Sequence, residues 1–379
     1  MPKRVLFLTG TRADFGKLKP LMHAINDHPE FELDVFVTGM HMLSRYGYTR
    51  NEVEKEGFHQ MYCFINQNEH DSLDIVLSKT IAGISDFIKE NPPDLMVVHG
   101  DRVEALACAI VASLNNVLVA HIEGGEVSGT IDELIRHSVS KLSHLHFVAN
   151  DVAARRLVQL GEREELIHVI GSPDIDIMAS SDLPPLEEVL SRYEIEFESY
   201  AIVLLHPVTT ETDELYDNAM TMVTALKATE DKFVVIYPNN DPGSNMIFSV
   251  YRKHVFNDAR FQCFPSLRFE YFLTLLRHAK YIIGNSSAGV REAPFFGVPS
   301  IDVGNRQANR ASAPSVQHTN FEVEAICAAI DRACTEPVEA TSEFGDGSAC
   351  DRFMSVMSGA EIWSTEPQKY FVDLSNPGS

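Results

Sequence analysis

Short apolar runs that end at charged residues or glycine recur along the chain, and segments with helical periodicity separate them. The clearest case lies between residues 94 and 137. There the apolar runs 95–99 and 117–122 have the length of buried strands. The segment 102–115 between them is rich in small and apolar residues and predicts a helix. Two parallel strands joined by a helix are therefore expected here, and the rest of the chain is interpreted around them.

The same alternation continues on both sides of this unit. In the first half, further strands are predicted at residues 4–8, 32–38, 145–149 and 167–170, and helices at 72–89 and 151–160. In the second half, strands are predicted at residues 200–206, 233–237, 260–264, 281–283 and 298–303, and helices at 269–278 and 351–357. Each half therefore predicts an α/β fold with a doubly wound parallel sheet.

The length of the chain indicates more than one domain, because 379 residues usually exceed what a single hydrophobic core serves. Residues 180–185 and the acidic stretch that follows have the composition of a linker. We predict an N-terminal domain over residues 1–172, a C-terminal domain over residues 173–355 and a final segment over residues 356–379.

Composition narrows the classes of function. The chain has 31 Lys and Arg against 54 Asp and Glu, a net charge of −23, which argues against a general surface for nucleic acid or anionic membranes. No apolar run approaches the roughly 20 residues of a membrane span, and the apolar run near the N-terminus predicts a first strand rather than a signal peptide. The six cysteines lack the close spacing of metal ligands. We therefore expect a soluble cytoplasmic protein that requires no metal.

Charged side chains follow the predicted strands 95–99 and 117–122 and continue into the next helix. These side chains are His99, Asp101, Arg102, His121, Glu123, Glu126, Asp132, Arg136 and His137. Ligands of parallel sheets gather beyond the carboxyl ends of the strands, so we expect these groups to converge. Glu123 has the strongest functional interpretation, because it follows a buried strand and precedes two glycines. Asp101 and Asp132 could instead cap helices, and the two histidines at the strand ends could bind backbone.

Anion-binding signals occur in both halves. The first strand runs through a glycine turn into a helix that carries Arg12 and Lys17, which is compatible with phosphate binding and equally with a structural turn. The segment GNSSAGVRE is the stronger signal, since small residues and hydroxyl groups precede a predicted helix that contains Glu292. Further polar residues at strand ends or in loops of this half are His206, Thr209, Thr210, Asn239, Asn240, Arg306 and Arg310.

Together, the segments GTRADFGKL, HGDRVEALA, HIEGGEVSGTIDELIRH, HPVTT and IGNSSAGVRE resemble the hydrolysing UDP-N-acetylglucosamine 2-epimerases. The resemblance extends from about residue 4 to residue 310. Related non-hydrolysing epimerases have GTRPE in the first loop, so GTRAD favours the hydrolysing branch. The resemblance implies two Rossmann-like domains in the glycosyltransferase-B arrangement, an active site in the cleft between them and a C-terminal segment that packs back on the first domain.

The resemblance also implies a reaction and a set of residues. UDP is eliminated from UDP-N-acetylglucosamine to give 2-acetamidoglucal, and addition of water then releases N-acetylmannosamine for sialic acid biosynthesis. Asp101, Glu123 and Asp132 match the family's catalytic carboxylates, which share the roles of base, acid and water activation without a one-to-one assignment. The implied substrate-binding residues are Arg12, Lys17, Arg102, Arg136, His137, His206, Asn239, Phe272, Ser286, Ser287, Glu292 and Arg306.

Within this set, Arg12, His206, Ser286 and Ser287 are expected around the phosphates, Glu292 at the ribose and Phe272 at the uracil. The family needs no cofactor, and its members are commonly homodimers or homotetramers. Three alternatives stay open. The substrate could be UDP-2,4-diacetamido-2,4,6-trideoxyglucose of legionaminic acid biosynthesis, the protein could be a retaining glycosyltransferase, or it could be a non-catalytic sensor of a UDP-sugar.

Overall fold

The chain divides into two compact units. Unit 1 comprises Met1–Glu126, Asp132–Ser180 and Phe344–Ser379, and unit 2 comprises Val127–Ile131 and Ser181–Glu343. The computed structural model describes residues 2–58, 60–68, 70–128, 131–208, 211–239, 241–307 and 313–373. The strand-end and loop residues Thr209, Thr210, Asn240 and Arg310 lie outside the described residues.

Unit 1 is built on a seven-stranded parallel sheet. Its strands are β1 (Lys3–Thr9), β2 (Phe31–Val37), β3 (Gln60–Cys63), β4 (Leu95–His99), β5 (Leu118–Ile122), β6 (Leu145–Val148) and β7 (Ile167–Val169). Their order is β3-β2-β1-β4-β5-β6-β7, so the direction of winding reverses between β1 and β4. In open α/β sheets, the region beyond the strand ends at such a reversal is where ligands bind.

Helices of unit 1 connect these strands and pack on the sheet. They are α1 (Arg12–Asn26), α2 (Arg50–Lys55), α3 (Leu73–Glu90), α4 (Val103–Leu114), α5 (Ile131–Leu142), α6 (Asp151–Gln159), α7 (Pro173–Ala179) and α15 (Ala349–Met357). Short 3-10 helices occupy Gly39–Met42, Ser44–Tyr46, Glu164–Leu166 and Ile362–Ser364. The core combines apolar residues of the central strands with those of α1 and α15.

Unit 2 repeats the architecture with a six-stranded parallel sheet of order β10-β9-β8-β11-β12-β13. Its strands are β8 (Ala201–Leu204), β9 (Phe233–Ile236), β10 (Phe261–Phe264), β11 (Ile282–Gly284), β12 (Ser300–Val303) and β13 (Val316–Thr319). Its helices are α8 (Leu186–Arg192), α9 (Leu215–Lys227), α10 (Ser244–His254), α11 (Phe269–Arg277), α12 (Ser287–Val290), α13 (Glu292–Phe296) and α14 (Val323–Thr335). The prediction of two doubly wound parallel sheets is confirmed.

Two strands escaped the sequence analysis, and both lie at an edge of their sheet. The strands β3 and β13 have the sequences QMYC and VQHT, and no residue of either is fully buried. An edge strand has one unpaired side and less cover, so it needs no continuous apolar run. The apolar pattern that identifies the central strands is therefore missing from both.

The helix predicted after GNSS is broken in the structure. It ends at Val290, and Glu292 begins the separate helix α13 instead of lying within the first one. Pro294 explains the break, because proline has no backbone N–H to donate to the carbonyl of residue 290. The connecting residue, Arg291, has a φ of −115° and a ψ of −64°.

The bounds of the units differ from the predicted boundaries at residues 172 and 355. Helix α7 packs on α1, and α15 packs on both, so α7 and α15 belong to unit 1. The carboxylate of Asp176 accepts hydrogen bonds from the N–H groups of Ala349 (2.8 Å) and Cys350 (2.7 Å) at the start of α15. Phe353 is fully buried and lies 4.8 Å from Phe147, measured between ring centroids.

Among the fully buried histidines of unit 1, His41 and His121 hold loops at the strand ends. His41 lies 3.1 Å from the Thr9 hydroxyl and 2.7 Å from the Thr49 hydroxyl. His121 donates from Nε2 to the carbonyl of Gly100 (2.8 Å), and its Nδ1 lies 3.0 Å from the Ser140 hydroxyl. Burial lowers the pKa of His41 to about 4 and that of His121 to about 3, so both are neutral near pH 7.

We predict that unit 1 loses stability as the pH falls from 7 to 5. The folded-state pKa values of His41 and His121 lie below the ordinary value of 6.5, so the unfolded chain binds protons first. Each histidine then lowers the free energy of unfolding by about 2 kcal/mol over this range. The measurement is denaturant unfolding followed by the fluorescence of Trp363, the single tryptophan of the chain, which packs 5.9 Å from Phe31 in unit 1.

The variant His121→Gln should lose about 2 kcal/mol of this pH dependence. The matched control is His70→Gln, which replaces an exposed histidine of the same unit and should leave the dependence unchanged. An unaltered pH dependence in His121→Gln would contradict the assignment of His121 as a buried neutral group.

Candidate active site

Glu123 is placed by a strained turn at the end of β5. Its φ is 63°, in the left-handed region that residues other than glycine seldom adopt, and its N–H donates to the carbonyl of Phe147 at 2.9 Å. Gly125 follows with a φ of 76°, and a Cβ there would lie 2.3 Å from the carbonyl oxygen of Ala153. The turn thus brings a carboxylate, only 5% exposed, to the carboxyl edge of the sheet.

The Glu123 carboxylate is surrounded by polar side chains from three other elements. Ser172 donates to Oε1 at 2.5 Å, and His99 Nε2 lies 3.1 Å from Oε2. Lys17 Nζ, from α1, lies 3.6 Å from Oε1 and 2.9 Å from Asp174 Oδ2 at the start of α7. Acidic, basic and hydroxyl groups therefore meet at one buried point, which is the composition that proton transfer requires.

Asp101 lies in the loop after the neighbouring strand, β4. It accepts a hydrogen bond from Nη2 of Arg136, whose side chain is 1% exposed, while the Asp101 side chain is 24% exposed. The helix-cap interpretation of Asp101 is wrong, because the residue at the N-cap of α4 is Arg102. Arg102 itself lies 3.4 Å from the buried Glu104 carboxylate, measured from Nε to Oε2.

Helix α5 carries three more of the predicted residues. Asp132 is in its first turn rather than ahead of the helix, Arg136 follows one turn later, and His137 lies beside Glu133 at 3.6 Å. Partial burial lowers the pKa of His137. The pairing of Arg136 with Asp101 therefore connects this helix to the end of β4.

The glycine turn after β1 has its own carboxylate. Asp14 accepts hydrogen bonds from the N–H groups of Gly10 (3.0 Å) and Thr11 (2.9 Å), and with Thr11 it forms a capping box at the start of α1. Arg12 donates to both carboxylate oxygens of Glu52, from Nε at 2.7 Å and from Nη2 at 2.5 Å. These contacts favour the structural interpretation of the turn, and Lys17 lies beside carboxylates.

In unit 2, Asn285 connects the ends of several strands. Its Oδ1 accepts from the N–H of His206 at 2.7 Å, and its Nδ2 donates to the carbonyl of the same residue at 2.9 Å. The carbonyl of Asn285 accepts from Arg306 Nη1 (3.2 Å) and from Gln307 Nε2 (3.0 Å). Gly284 before it has a φ of 143°, and a Cβ there would lie 1.9 Å from the Leu204 carbonyl oxygen, so the turn requires glycine.

The ring of His206 has a defined tautomer. Its Nδ1 accepts a hydrogen bond from the N–H of Asn239 at 3.1 Å, so the neutral ring carries its proton on Nε2 and can donate from there. Ser286, the next residue after Asn285, is the N-cap of α12, and its hydroxyl accepts a hydrogen bond from the N–H of Ala288. Ser287 begins the helix. These residues form a group of hydrogen-bond donors in unit 2.

The remaining predicted residues of unit 2 are buried. Glu292 at the start of α13 is 3% exposed, and Phe272 in α11 is 8% exposed. Helices α11 and α13 pack on each other. The structure therefore brings His206, Asn239 and Arg306 to the Asn285 group, and it places Phe272 in the packed face of a helix.

Sequence analysis missed Ser172 and Asp174 beside Glu123, and it left Asn285 unassigned. A signal for the first two was present, since GSPD follows the strand 167–170 as HIEGGE follows 117–122. Within the ranges given above, no helix is long and apolar enough to cross a bilayer. The same residues contain no group of three or more His, Cys, Asp or Glu side chains arranged to hold a metal ion.

Comparison with known proteins identifies relatives along the whole chain. Residues 23–358 match the family model of UDP-N-acetylglucosamine 2-epimerase. The UDP-N-acetylglucosamine 2-epimerase of Neisseria meningitidis serogroup B strain MC58 is 50% identical over 377 residues, which cover 98% of this chain and 100% of that protein. The UDP-N,N'-diacetylbacillosamine 2-epimerase (hydrolyzing) of Legionella pneumophila is 31% identical over 371 residues, covering 96% of this chain and 98% of that protein.

The fold is shared with solved structures. The crystal structure of UDP-GlcNAc 2-epimerase from Neisseria meningitidis bound to UDP-GlcNAc superimposes with a TM-score of 0.78 at 18% sequence identity, covering 93% of this chain and 99% of that one. The family model and the relatives confirm the resemblance found in the sequence motifs. This chain therefore belongs to the UDP-N-acetylglucosamine 2-epimerase family.

Proposed function

We propose that the protein is a hydrolysing UDP-N-acetylglucosamine 2-epimerase, which converts UDP-N-acetylglucosamine and water to N-acetylmannosamine and UDP. The observation that carries the proposal is the pair of carboxylates, Asp101 and Glu123, that follow the adjacent strands β4 and β5. Asp101 is paired with a buried arginine, and Glu123 accepts a hydrogen bond from Ser172 and lies beside Lys17 and His99. The 50% identical Neisseria relative, named for UDP-N-acetylglucosamine, supports the substrate.

The proposed reaction needs more than one proton-transfer group. A base removes the weakly acidic proton at C2, the electron pair forms the C1–C2 double bond of 2-acetamidoglucal, and the C1–O bond breaks to release UDP. Water then adds its oxygen to C1 while a proton is delivered to the opposite face of C2, which inverts the configuration there. Asp101, Glu123 and Asp132 supply the base, the acid and the activation of water between them.

Departure of UDP places negative charge on the β-phosphate, which positioned donors stabilise. In unit 2, His206 can donate from Nε2, and Ser286 and Ser287 lie at the N-terminal end of α12. Arg306 adds positive charge beside Asn285. We infer that these residues bind the phosphates of UDP, with Glu292 at the ribose and Phe272 at the uracil.

The hydrolysing branch is inferred from GTRAD and from the 31% identical relative whose name states hydrolysis. In this chain Asp14, the last residue of GTRAD, accepts hydrogen bonds from the N–H groups of Gly10 and Thr11 in the turn after β1. We further infer that the product serves sialic acid biosynthesis and that the protein acts as a homo-oligomer in the cytoplasm. The Legionella relative supports a second candidate substrate, UDP-2,4-diacetamido-2,4,6-trideoxyglucose, although its lower identity favours UDP-N-acetylglucosamine.

The reaction is tested by a proton NMR time course in D2O with UDP-N-acetylglucosamine, and with the diacetamido substrate in parallel. We expect N-acetylmannosamine with deuterium at C2 and free UDP, without any sugar acceptor. Asp101→Asn and Glu123→Gln should each lower kcat by about a hundredfold or more, because they remove proton-transfer groups. The control Asp86→Asn alters an exposed carboxylate of unit 1, 83% accessible, and should leave turnover unchanged.

Each alternative function predicts a different result. Turnover of the diacetamido sugar alone would reassign the substrate. Dependence of UDP release on an added acceptor would indicate a retaining glycosyltransferase, and tight binding of a UDP-sugar without turnover would indicate a sensor.

Phosphate binding by unit 2 is tested separately with UDP. The double variant Ser286→Ala, Ser287→Ala should weaken UDP binding at least about tenfold, because each hydrogen bond to a charged group contributes roughly 1.5–3 kcal/mol. Isothermal titration calorimetry measures the change. The matched control, Ser249→Ala, alters an exposed serine of the same unit and should bind UDP as the parent protein does. Unchanged affinity of the double variant would remove both serines from the proposed phosphate site.

A further inference from the structure

Lys17 lies between two buried carboxylates of unit 1. Its Nζ is 2.9 Å from Asp174 Oδ2 and 3.6 Å from Glu123 Oε1. The side chains of Lys17, Glu123 and Asp174 are 8%, 5% and 0% exposed, so water screens their charges poorly. When all three are ionised, one positive charge faces two negative charges.

The position of Asp174 is fixed by structure on both sides of it in sequence. Ser172 donates its N–H to the carbonyl of Phe344 at 2.7 Å and its hydroxyl to Glu123 at 2.5 Å. One turn of backbone later, Asp176 caps the N-terminus of α15. Helix α7 therefore holds Asp174 against Lys17, whose own helix α1 packs on α7.

The positive charge of Lys17 lies closer to Asp174 than to Glu123. Lys17 is within ordinary hydrogen-bond distance of Asp174 and 0.7 Å farther from Glu123 (3.6 Å against 2.9 Å). A lysine held by a second carboxylate stabilises the charge of the first one less than an unshared lysine would. Glu123 is thereby kept able to take up a proton as well as to release one.

We propose that Asp174 is a positioning residue for the reaction, which sets the proton affinity of Glu123 by holding Lys17 away from it. This inference rests on the proposed function, in which Glu123 exchanges protons with the sugar. Asp174 acts through Lys17 and does not touch the substrate. Among the residues that the structure describes, His99 from the end of β4 and the hydroxyl of Ser172 also lie beside Glu123. Asp176 on α7 instead bonds the start of α15.

The pH dependence of kcat distinguishes this role from a structural one. In Asp174→Asn, a negative charge near Glu123 is lost and Lys17 becomes available to it. Both changes favour the Glu123 carboxylate, so the limb of the profile governed by Glu123 should move to lower pH by about one unit or more. In Lys17→Met, the positive charge is lost and the same limb should move to higher pH. Asp174→Glu should restore the parent profile in part.

The control is Asp176→Asn, which removes the carboxylate cap of α15 two residues away. We expect it to lower the unfolding midpoint reported by Trp363 fluorescence without moving the pH profile. Shifts of Asp174→Asn and Lys17→Met in the same direction, or unshifted profiles in active variants, would overturn the proposal.

A second measurement needs no turnover and therefore separates this inference from the proposed function. A double-mutant cycle of Asp174→Asn and Glu123→Gln, followed by denaturant unfolding at several pH values, gives the coupling between the two carboxylates. We expect a coupling that changes with pH as Glu123 titrates. An inactive parent enzyme with this coupling would overturn only the proposed reaction, and a coupling independent of pH would overturn the role of Asp174.

Discussion

The structure of unit 1 has to accommodate buried charged side chains at the carboxyl edge of its sheet. Removing an ion from water costs several kcal/mol unless an opposite charge and hydrogen bonds replace the solvent. At this edge Lys17 places one positive charge 2.9 Å from Asp174 and 3.6 Å from Glu123, and the three residues come from α1, the end of β5 and the start of α7. These elements must therefore be positioned together, which ties the docking of α7 to the geometry of the candidate active site.

In unit 2 the loops at the strand ends are connected through a neutral side chain, the amide of Asn285. The amide of Asn285 bonds both backbone groups of His206, and its own carbonyl receives Arg306 and Gln307. A neutral amide satisfies donors and acceptors at once without the cost of a buried charge. These hydrogen bonds orient the arginine and the histidine.

Apolar runs predicted the central strands of both sheets, because a strand covered on both faces must be apolar along its length. The same rule could not find β3 and β13, which lie at the edges. The sequence motifs identified Glu123 and Asp101 as candidates, because both stand beside glycines directly after apolar runs. The partners of Glu123 were harder to find. Asp174 follows Glu123 by 51 residues (174 − 123), and only the packing of α7 on α1 brings it to Lys17. The segment GSPD marks the end of a strand, but it does not show that Asp174 contacts Lys17, because that contact depends on tertiary packing.

Helix α5 shows how the chain beyond the sheet contributes to the same region. Its first half carries Asp132 and Arg136, and its C-terminal carbonyls need partners because no further helical turn supplies donors. Lys369, in the segment after α15, donates to the carbonyls of Lys141 (2.9 Å) and Ser143 (2.5 Å) and to the carboxylate of Glu162 (2.5 Å). A cation at this position also opposes the negative end of the helix dipole. The C-terminal segment therefore anchors one end of a helix whose other end carries candidate catalytic groups.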